Sequence, residues 1–188
     1  GGWWTASTLV LALVVYPILD VLLGDSSKTD SLEESRAFDF IVHTHGLLVP
    51  VVIATLLYQA YFDYNSFIWL ADVSVGLSSG ASGIITAHEL GHRRPRSRSW
   101  WLSRFDLMCV LYLHFTVEHN HTHHKHWAKP IDPTSSPWKR SVYVHFIRTI
   151  PLQLMGAYRA KPKDFRYSMI VQLTLLLTLF IISPVLLG

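Results

Sequence analysis

Three uncharged, mostly apolar stretches limit what this chain can fold into more than any other feature of its sequence. They cover residues 1–19, 40–62 and 167–188 of the 188-residue chain, and a helix needs about 20 apolar residues to cross a bilayer. A fourth stretch, residues 64–87, contains one carboxylate, and its second half is rich in small residues that let helices approach closely. Only 15% of all residues are charged, which is low for a soluble surface. The sequence therefore predicts an integral membrane protein.

The expected fold is all-α. We predict a polytopic helical bundle in the membrane, with spans near residues 3–23, 38–62, 64–87 and 168–187. The spans and the polar segment between the third and the fourth are expected to form a single, partial domain over residues 1–188. The lone cysteine in the sequence excludes a disulfide or a cysteine-rich zinc site within this chain.

The distribution of charge indicates which part of the chain faces the cytoplasm. Residues 88–167 contain fourteen of the sixteen Lys and Arg residues and five acidic ones, a balance of +9, and cytoplasmic segments collect Lys and Arg. We therefore predict that residues 88–167 form a cytoplasmic helical cap. Within it, the apolar residues 105–117 would extend about 20 Å as a helix, too short to cross a core of about 30 Å. Histidines before and after this piece are expected on the same side of the bilayer.

Eight of the eleven histidines lie between residues 88 and 126, and their spacing predicts a metal site. His88 and His92 are four residues apart, so on an α-helix they share one face and can bind one metal ion. His119 and His123 repeat this spacing, and His124 would lie about 100° further round the helix. Five imidazoles exceed the four ligands of one tetrahedral zinc ion, so the count favours two metal ions. Imidazole binds iron, zinc, copper and nickel alike, so it does not select among them.

Two carboxylates beside these histidines are candidates for orienting them. Glu89 and Glu118 could each accept an imidazole N–H and so fix the tautomer of a ligand. The other histidines are left out of the predicted ligand set: they are His43, His45, His114, His121, His126 and His145.

Residues 83–92 and 118–124 resemble the first two histidine boxes of the membrane alkane hydroxylases, or alkane 1-monooxygenases, within the desaturase–hydroxylase superfamily. Residues 128–136 resemble the Pro-x-Asp-Pro stretch of that family, and residues 17–24 resemble a segment near its start. The resemblance covers at least residues 17–136. The later histidine-rich motifs of the family have no counterpart after His145, so we expect the chain to be a fragment that lacks both ends.

This resemblance implies a non-haem di-iron monooxygenase of the bacterial inner membrane, with its histidines on the cytoplasmic side. The implied reaction hydroxylates the terminal carbon of a medium- or long-chain n-alkane with O2, and rubredoxin and its reductase supply the electrons. No nucleic-acid partner is expected. Ala12 matches a position that is bulky in some relatives, so its small side chain is expected to admit longer alkanes into a substrate channel. The implied iron ligands are His88, His92, His119, His123 and His124.

Other functions remain open from the sequence alone. His88 and His92 also form an H-E-x-x-H motif, in which Glu89 would activate a zinc-bound water in a membrane metalloprotease. Intramembrane proteases of that type add an Asp-Gly motif, and this chain has no Asp-Gly pair. A superfamily enzyme acting on xylene or a fatty-acyl chain is another alternative, although the H-x-x-x-H-H spacing of the second box differs from the usual desaturase spacing. A non-enzymatic metal-binding membrane protein is the third.

Overall fold

The computed structural model describes residues 2–24, 36–63 and 65–182, and all regular structure within these ranges is helical. The seven helices of these ranges are α1 (Gly2–Leu23), α2 (Arg36–Phe62), α3 (Ile68–Gly91), α4 (Arg98–Cys109), α5 (residues 115–126), α6 (Val142–Ala160) and α7 (Pro162–Ile181). Three of them contain a π-helical turn: α1 at Leu11–Val15, α3 at Ser79–Gly83 and α5 at His119–His123.

Four helices, α1, α2, α3 and α7, are long and apolar enough to cross a membrane. Their large apolar side chains are largely exposed, among them Val21 and Leu57, as expected of residues that face lipid. These findings confirm the predicted all-α membrane fold. The last predicted span reached residue 187, and its residues 183–187 lie outside the described part of the chain. Residues 92–161, all described, contain no helix that meets the same criteria of length and apolarity.

The chain divides into two compact units. The first ends at Val110 and contains α1 to α4, and the second begins at Leu111 and contains α5 to α7. The first unit therefore contains three of the four candidate membrane helices and the first histidine box. The second unit contains the second histidine box, the amphipathic helix α6 and the fourth candidate membrane helix.

Close packing and shared hydrogen bonds join α2 to α3 in the first unit. A Cβ atom placed on Gly83 would lie 3.3 Å from the methyl groups of Val49, so the glycine lets the two helices approach. One turn nearer the histidines, both ring nitrogens of His45 are hydrogen-bonded to α3, at 2.8 Å from Ser82 Oγ and 2.9 Å from Thr86 Oγ1. These contacts fix α3 against α2 immediately before the first histidine box.

Helix α4 packs against the end of α3 that carries the box. It begins after Ser97, whose side chain accepts a hydrogen bond from the backbone N–H of Trp100 at 3.2 Å, a standard N-cap. Ser103 donates to the carbonyl of Ala87 at 2.5 Å, and the side chain of Leu107 is fully buried. The end of α3 is thus held by α4 as well as by α2.

In the second unit, α6 lies against α5. A Cβ atom placed on Gly156 of α6 would lie 3.4 Å from Thr122 Cγ2 of α5, an ordinary van der Waals distance, so the two helices are in contact at this glycine. The Tyr112 hydroxyl, just before α5, donates to Gln153 on α6 at 2.8 Å. Helix α7 follows α6 after a single residue, Lys161.

One buried carboxylate in the first unit has no partner among the described residues. Asp106 on α4 is 1% exposed, and neither of its carboxylate oxygens makes a hydrogen bond. Its Oδ2 atom faces Gly46 of α2, and a Cβ atom placed on Gly46 would lie 3.1 Å from this Oδ2. Burial raises the pKa of Asp106 from 3.8 to about 7, because the charged form loses its hydration.

This raised pKa predicts that stability falls as the pH rises. Between about pH 4 and pH 7 the folded chain keeps a proton on Asp106 that the unfolded chain has lost, so the free energy of unfolding decreases through this window and stays low above it. Asp106→Asn cannot ionise, so its thermal unfolding midpoint in detergent should depend less on pH and exceed that of the wild type at pH 8. The control Asp63→Asn, at an exposed site, should follow the wild type. Parallel curves for wild type and Asp106→Asn would contradict the assignment.

Candidate metal centre

The first histidine pair lies at the end of α3. The Nε2 atoms of His88 and His92 are 3.0 Å apart, and their rings are almost perpendicular, at 89°. Two nitrogens that each lie about 2.1 Å from one metal ion, at about a right angle, are also about 3.0 Å apart. His88 is half-buried and His92 is exposed. The structure therefore brings these two predicted ligands together with a separation that suits a shared metal ion.

Contacts with the beginning of α2 position the residues that follow this pair. The guanidinium group of Arg93 donates to the Asp39 carboxylate at 2.5 Å. A few residues further on, Ser99 Oγ lies 2.9 Å from Nε2 of His43. These two contacts connect the segment after His92 to the beginning of α2.

The second box forms a different pair from the one that α-helical geometry predicts. His119 pairs with His124, with their Nε2 atoms 3.0 Å apart, and not with His123, whose ring stacks on His119 at a centroid distance of 5.2 Å. The reason is the π-helical turn: the backbone N–H of His124 bonds to the carbonyl of His119, five residues earlier. A π-turn aligns residues five apart, so His124, rather than the expected His123, lies beside His119.

His123 is oriented by a buried carboxylate. Its Nδ1 lies 3.0 Å from Oδ2 of Asp132, a side chain with no solvent exposure, and 2.6 Å from Oγ1 of Thr134. Burial alone would raise the pKa of Asp132, but hydrogen bonds from Ser135, Thr134 and His123 together lower it. An ionised carboxylate on Nδ1 fixes the histidine tautomer and leaves Nε2 as the metal-binding atom.

Asp132 is a candidate for orienting His123 that the sequence analysis did not single out. It lies in the Pro-x-Asp-Pro stretch, where its carboxylate also accepts a hydrogen bond from the backbone N–H of Thr134 at 3.1 Å. This is an Asx-turn that the sequence Asp-Pro-Thr could have suggested.

Of the two carboxylates predicted to orient ligands, Glu89 is exposed and has no partner among the described residues. Glu118 is 2% exposed, and its Oε1 atom has no hydrogen-bond partner among the described residues. Burial, followed by the nearby charge of Asp132, raises the pKa of Glu118 to about 7.

Histidines left out of the ligand set contact other groups. His45 binds the two hydroxyls of α3 described above, and His145 lies 3.3 Å from Thr149 Oγ1. His114 is buried, and this burial lowers its pKa, which favours a neutral ring. His121 is exposed. Within each unit, one histidine pair could contribute ligands to a metal ion: His88 with His92 in the first, and His119 with His124 in the second.

The donor set suits a transition metal. Neutral imidazole nitrogens bind iron, zinc, copper and nickel, and a buried carboxylate oxygen without a partner, such as Oε1 of Glu118, is stabilised by a nearby cation or hydrogen-bond donor. The side chains of both units therefore fit a metal cofactor.

A cavity in the first unit leads towards the first pair. It has a volume of 550 Å³ and lies among α1, α2 and α3. Its walls include Ala12, in the π-turn of α1, and Ile85 and Thr86, which directly precede the box. We name this space the proximal cavity. It places Ala12 on the wall of a largely apolar space that ends within one helical turn of His88.

Comparison with known proteins gives consistent results. Residues 65–185 match the model of the fatty acid desaturase family. The chain is 32% identical over 172 residues to alkane 1-monooxygenase 1 of Alcanivorax borkumensis, covering 84% of this chain and 40% of that protein. It is 33% identical over 170 residues to alkane 1-monooxygenase of Pseudomonas putida, and the match covers 84% of this chain and 40% of that protein. It is 34% identical over 170 residues to alkane 1-monooxygenase of Ectopseudomonas oleovorans, and the match covers 84% of this chain and 41% of that protein. The chain thus spans about two-fifths of the length of these relatives.

The buried pair of Asp132 and His123 predicts the effect of losing the carboxylate. Asp132→Asn keeps the shape of the side chain but removes the charge that fixes the tautomer of His123, and we expect metal affinity to fall about 10–100-fold. The measurement is a metal titration of the purified full-length protein. Asp164→Asn removes an exposed carboxylate from the same unit and should leave affinity unchanged. Equal affinities for wild type and Asp132→Asn would show that Asp132 has no such role.

Proposed function

Because this chain belongs to the fatty acid desaturase family, we propose that it is part of a membrane di-iron monooxygenase that hydroxylates the terminal carbon of medium- or long-chain n-alkanes. The observation that carries the proposal is the presence of two histidine pairs, each with its Nε2 atoms 3.0 Å apart. The relatives named above support the choice of alkane as substrate. Family membership does not support the alternative of a zinc protease.

We assign the iron ligands to both histidine boxes. One pair supplies only two nitrogens, too few to hold a metal ion alone, and the resemblance to the family implies all five of these histidines as ligands. Two iron ions held there would activate O2, so that one oxygen atom enters the C–H bond and the other leaves as water. The role of Asp132 is to keep the Nδ1 proton of His123 in place, which leaves Nε2 free to bind iron. The proposed ligands are His88, His92, His119, His123 and His124.

The proximal cavity is the proposed binding site for the reacting end of the alkane. Leu11, Leu77 and Ile85 supply apolar walls, and the cavity lies among helices that can cross a membrane. An alkane dissolves in the lipid core, so a cavity between membrane helices receives it without passage through water. The two ring nitrogens of His45 are both hydrogen-bonded to α3, so this polar side chain on the cavity wall needs no water partner.

The electron donor is proposed to be rubredoxin with its reductase, acting on the cytoplasmic face of a bacterial inner membrane. The support is electrostatic. Residues 88–167 carry fourteen Lys and Arg residues against five carboxylates, and a positively charged surface increases the rate at which an acidic partner associates. The same excess of positive charge is typical of cytoplasmic segments, which supports the orientation.

The experiment that tests the function is octane hydroxylation by the purified full-length protein, with rubredoxin, its reductase and O2 present. We expect 1-octanol as the product and two iron atoms per chain. His124→Ala should lose most of the iron and the activity, because it removes one nitrogen of the second pair. The matched control is His121→Ala, an exposed histidine of the same box, which should retain both. An iron-loaded wild type that leaves octane unchanged would disprove the assignment.

Ala12 provides a separate prediction about chain length. Ala12→Trp places a bulky ring in the proximal cavity, so we expect the product profile to shift towards shorter alkanes. The control Leu13→Trp adds the same ring at the neighbouring position, which is 64% exposed and does not line the cavity. Products from a mixture of n-alkanes of different length give the profile. An unchanged product profile for Ala12→Trp would mean that the bound alkane does not pass Ala12.

A further inference from the structure

Helix α6 exposes an apolar face on the side directed away from α5. The side that meets the rest of the second unit is mostly polar, and there Thr149 donates to the carbonyl of Pro133 at 2.9 Å. Gln153, on the same side, accepts the hydrogen bond of Tyr112. The opposite side is apolar and exposed, with Ile147 at 74% exposure, and helical spacing places five such residues within about 120° of one another. We name them the apolar face of α6: Tyr143, Val144, Ile147, Met155 and Tyr158.

Two arginines border the apolar face along one edge. Arg148 and Arg159 each follow a residue of this face by four positions, and they lie eleven residues apart. Eleven residues are about three helical turns, so the two side chains lie on the same side of α6, about 16 Å apart along its axis. Both are exposed, and neither forms an ion pair with another of the described residues. We name these two arginines the basic edge.

The basic edge does not allow α6 to cross the membrane. Arg148 lies near the middle of the helix, and a spanning helix would place its charge in the hydrocarbon core, which is energetically costly. Helix α6 is also absent from the four helices of the described ranges that are long and apolar enough to cross. An exposed apolar face bordered by cations is instead typical of a helix that lies in the plane of the membrane surface.

Both ends of α6 carry residues that prefer the level of the lipid headgroups. Trp138, which is 90% exposed, and Lys139 precede the helix. Tyr158 and Lys161 lie at its other end. Trp and Tyr are enriched at membrane–water interfaces, and Lys and Arg collect on the cytoplasmic side. Helix α7, which is able to cross a membrane, begins directly after Lys161, so the end of α6 lies at the surface that α7 enters.

We propose that α6 lies along the membrane surface with its apolar face among the acyl chains, and that the basic edge binds the phosphate groups of anionic phospholipids. Two observations assign this occupant: the positive charge of Arg148 and Arg159 is complementary to anionic headgroups, and α6 leads directly into a membrane helix. A guanidinium group can also donate two parallel hydrogen bonds to one phosphate. The competing occupant of the same face is an acidic protein partner.

The first test measures which lipid the purified full-length protein retains. The protein is equilibrated in detergent micelles with equal amounts of phosphatidylglycerol and phosphatidylcholine that have the same acyl chains, and native mass spectrometry counts the bound lipids. The double variant Arg148→Gln/Arg159→Gln should lower the ratio of bound phosphatidylglycerol to phosphatidylcholine at least threefold. Arg148→Lys/Arg159→Lys keeps both charges and should retain most of this ratio. The control Arg94→Gln/Arg96→Gln removes the same charge from exposed sites outside α6 and should leave the ratio unchanged.

The second test locates the apolar face relative to the bilayer. A nitroxide spin label is attached to Ile147→Cys in the full-length protein, with all other cysteines replaced, in vesicles that contain phosphatidylglycerol. Oxygen concentrates in the hydrocarbon layer and a nickel chelate stays in water, so this label should collide more often with oxygen than with the chelate. The control is a label on Arg96→Cys, at an exposed site outside α6, which should show the reverse.

The two measurements together decide the proposal. Loss of phosphatidylglycerol in the glutamine variant of the basic edge, with an oxygen-accessible label at Ile147, supports it. A label at Ile147 that the chelate reaches as easily as the control label overturns it, since the face is then in water and open to a protein partner. An unchanged lipid ratio in the glutamine variant, or an equal loss in the Arg94/Arg96 control, overturns the headgroup site. Neither measurement requires iron or octane, so both outcomes are independent of the proposed function.

Discussion

Two imidazole nitrogens 3.0 Å apart repel each other if both direct a lone pair into the space between them. A proton on one nitrogen, or a metal ion bound by both, removes this repulsion. The structure contains this arrangement twice, at His88 with His92 and at His119 with His124. A shared proton would make each pair a local hydrogen bond. A shared metal ion makes each pair part of a larger ligand set, and the buried carboxylate on His123 is the usual companion of a metal-bound imidazole.

The backbone brings each pair together by a different means. His88 and His92 use the four-residue repeat of an α-helix, whose end is held by hydrogen bonds and an ion pair from α2 and α4. His119 and His124 use the five-residue repeat of a π-turn. This extra residue frees His123 to turn towards Asp132, so a single irregular turn supplies three histidines with two orientations. Such π-turns occur frequently at functional sites.

Sequence reasoning succeeded where the physical rule involves one helix alone. Membrane helices follow from the number of consecutive apolar residues, and the His88–His92 pair follows from α-helical spacing. It did not predict the pairing of His119 with His124, because the four-residue spacing of His119 and His123 assumes a regular α-helix and the chain forms a π-turn there. It missed Asp132 because a loop residue reaches its histidine through the tertiary fold. The resemblance of residues 128–136 to a family motif marked the right segment without giving its role.

The irregular turns also connect the chemistry to the membrane. The π-turn of α1 contains Ala12 and that of α3 contains Ser82, and both residues line the proximal cavity. A π-turn adds a residue to a helix and changes the direction of the side chains that follow it relative to a regular α-helix. In α3 the residues after the π-turn include Thr86, on the wall of the cavity, and His88, two residues further on. The wall of the cavity and the first histidine pair therefore both follow the π-turn of α3, so a change in that turn would alter the two together.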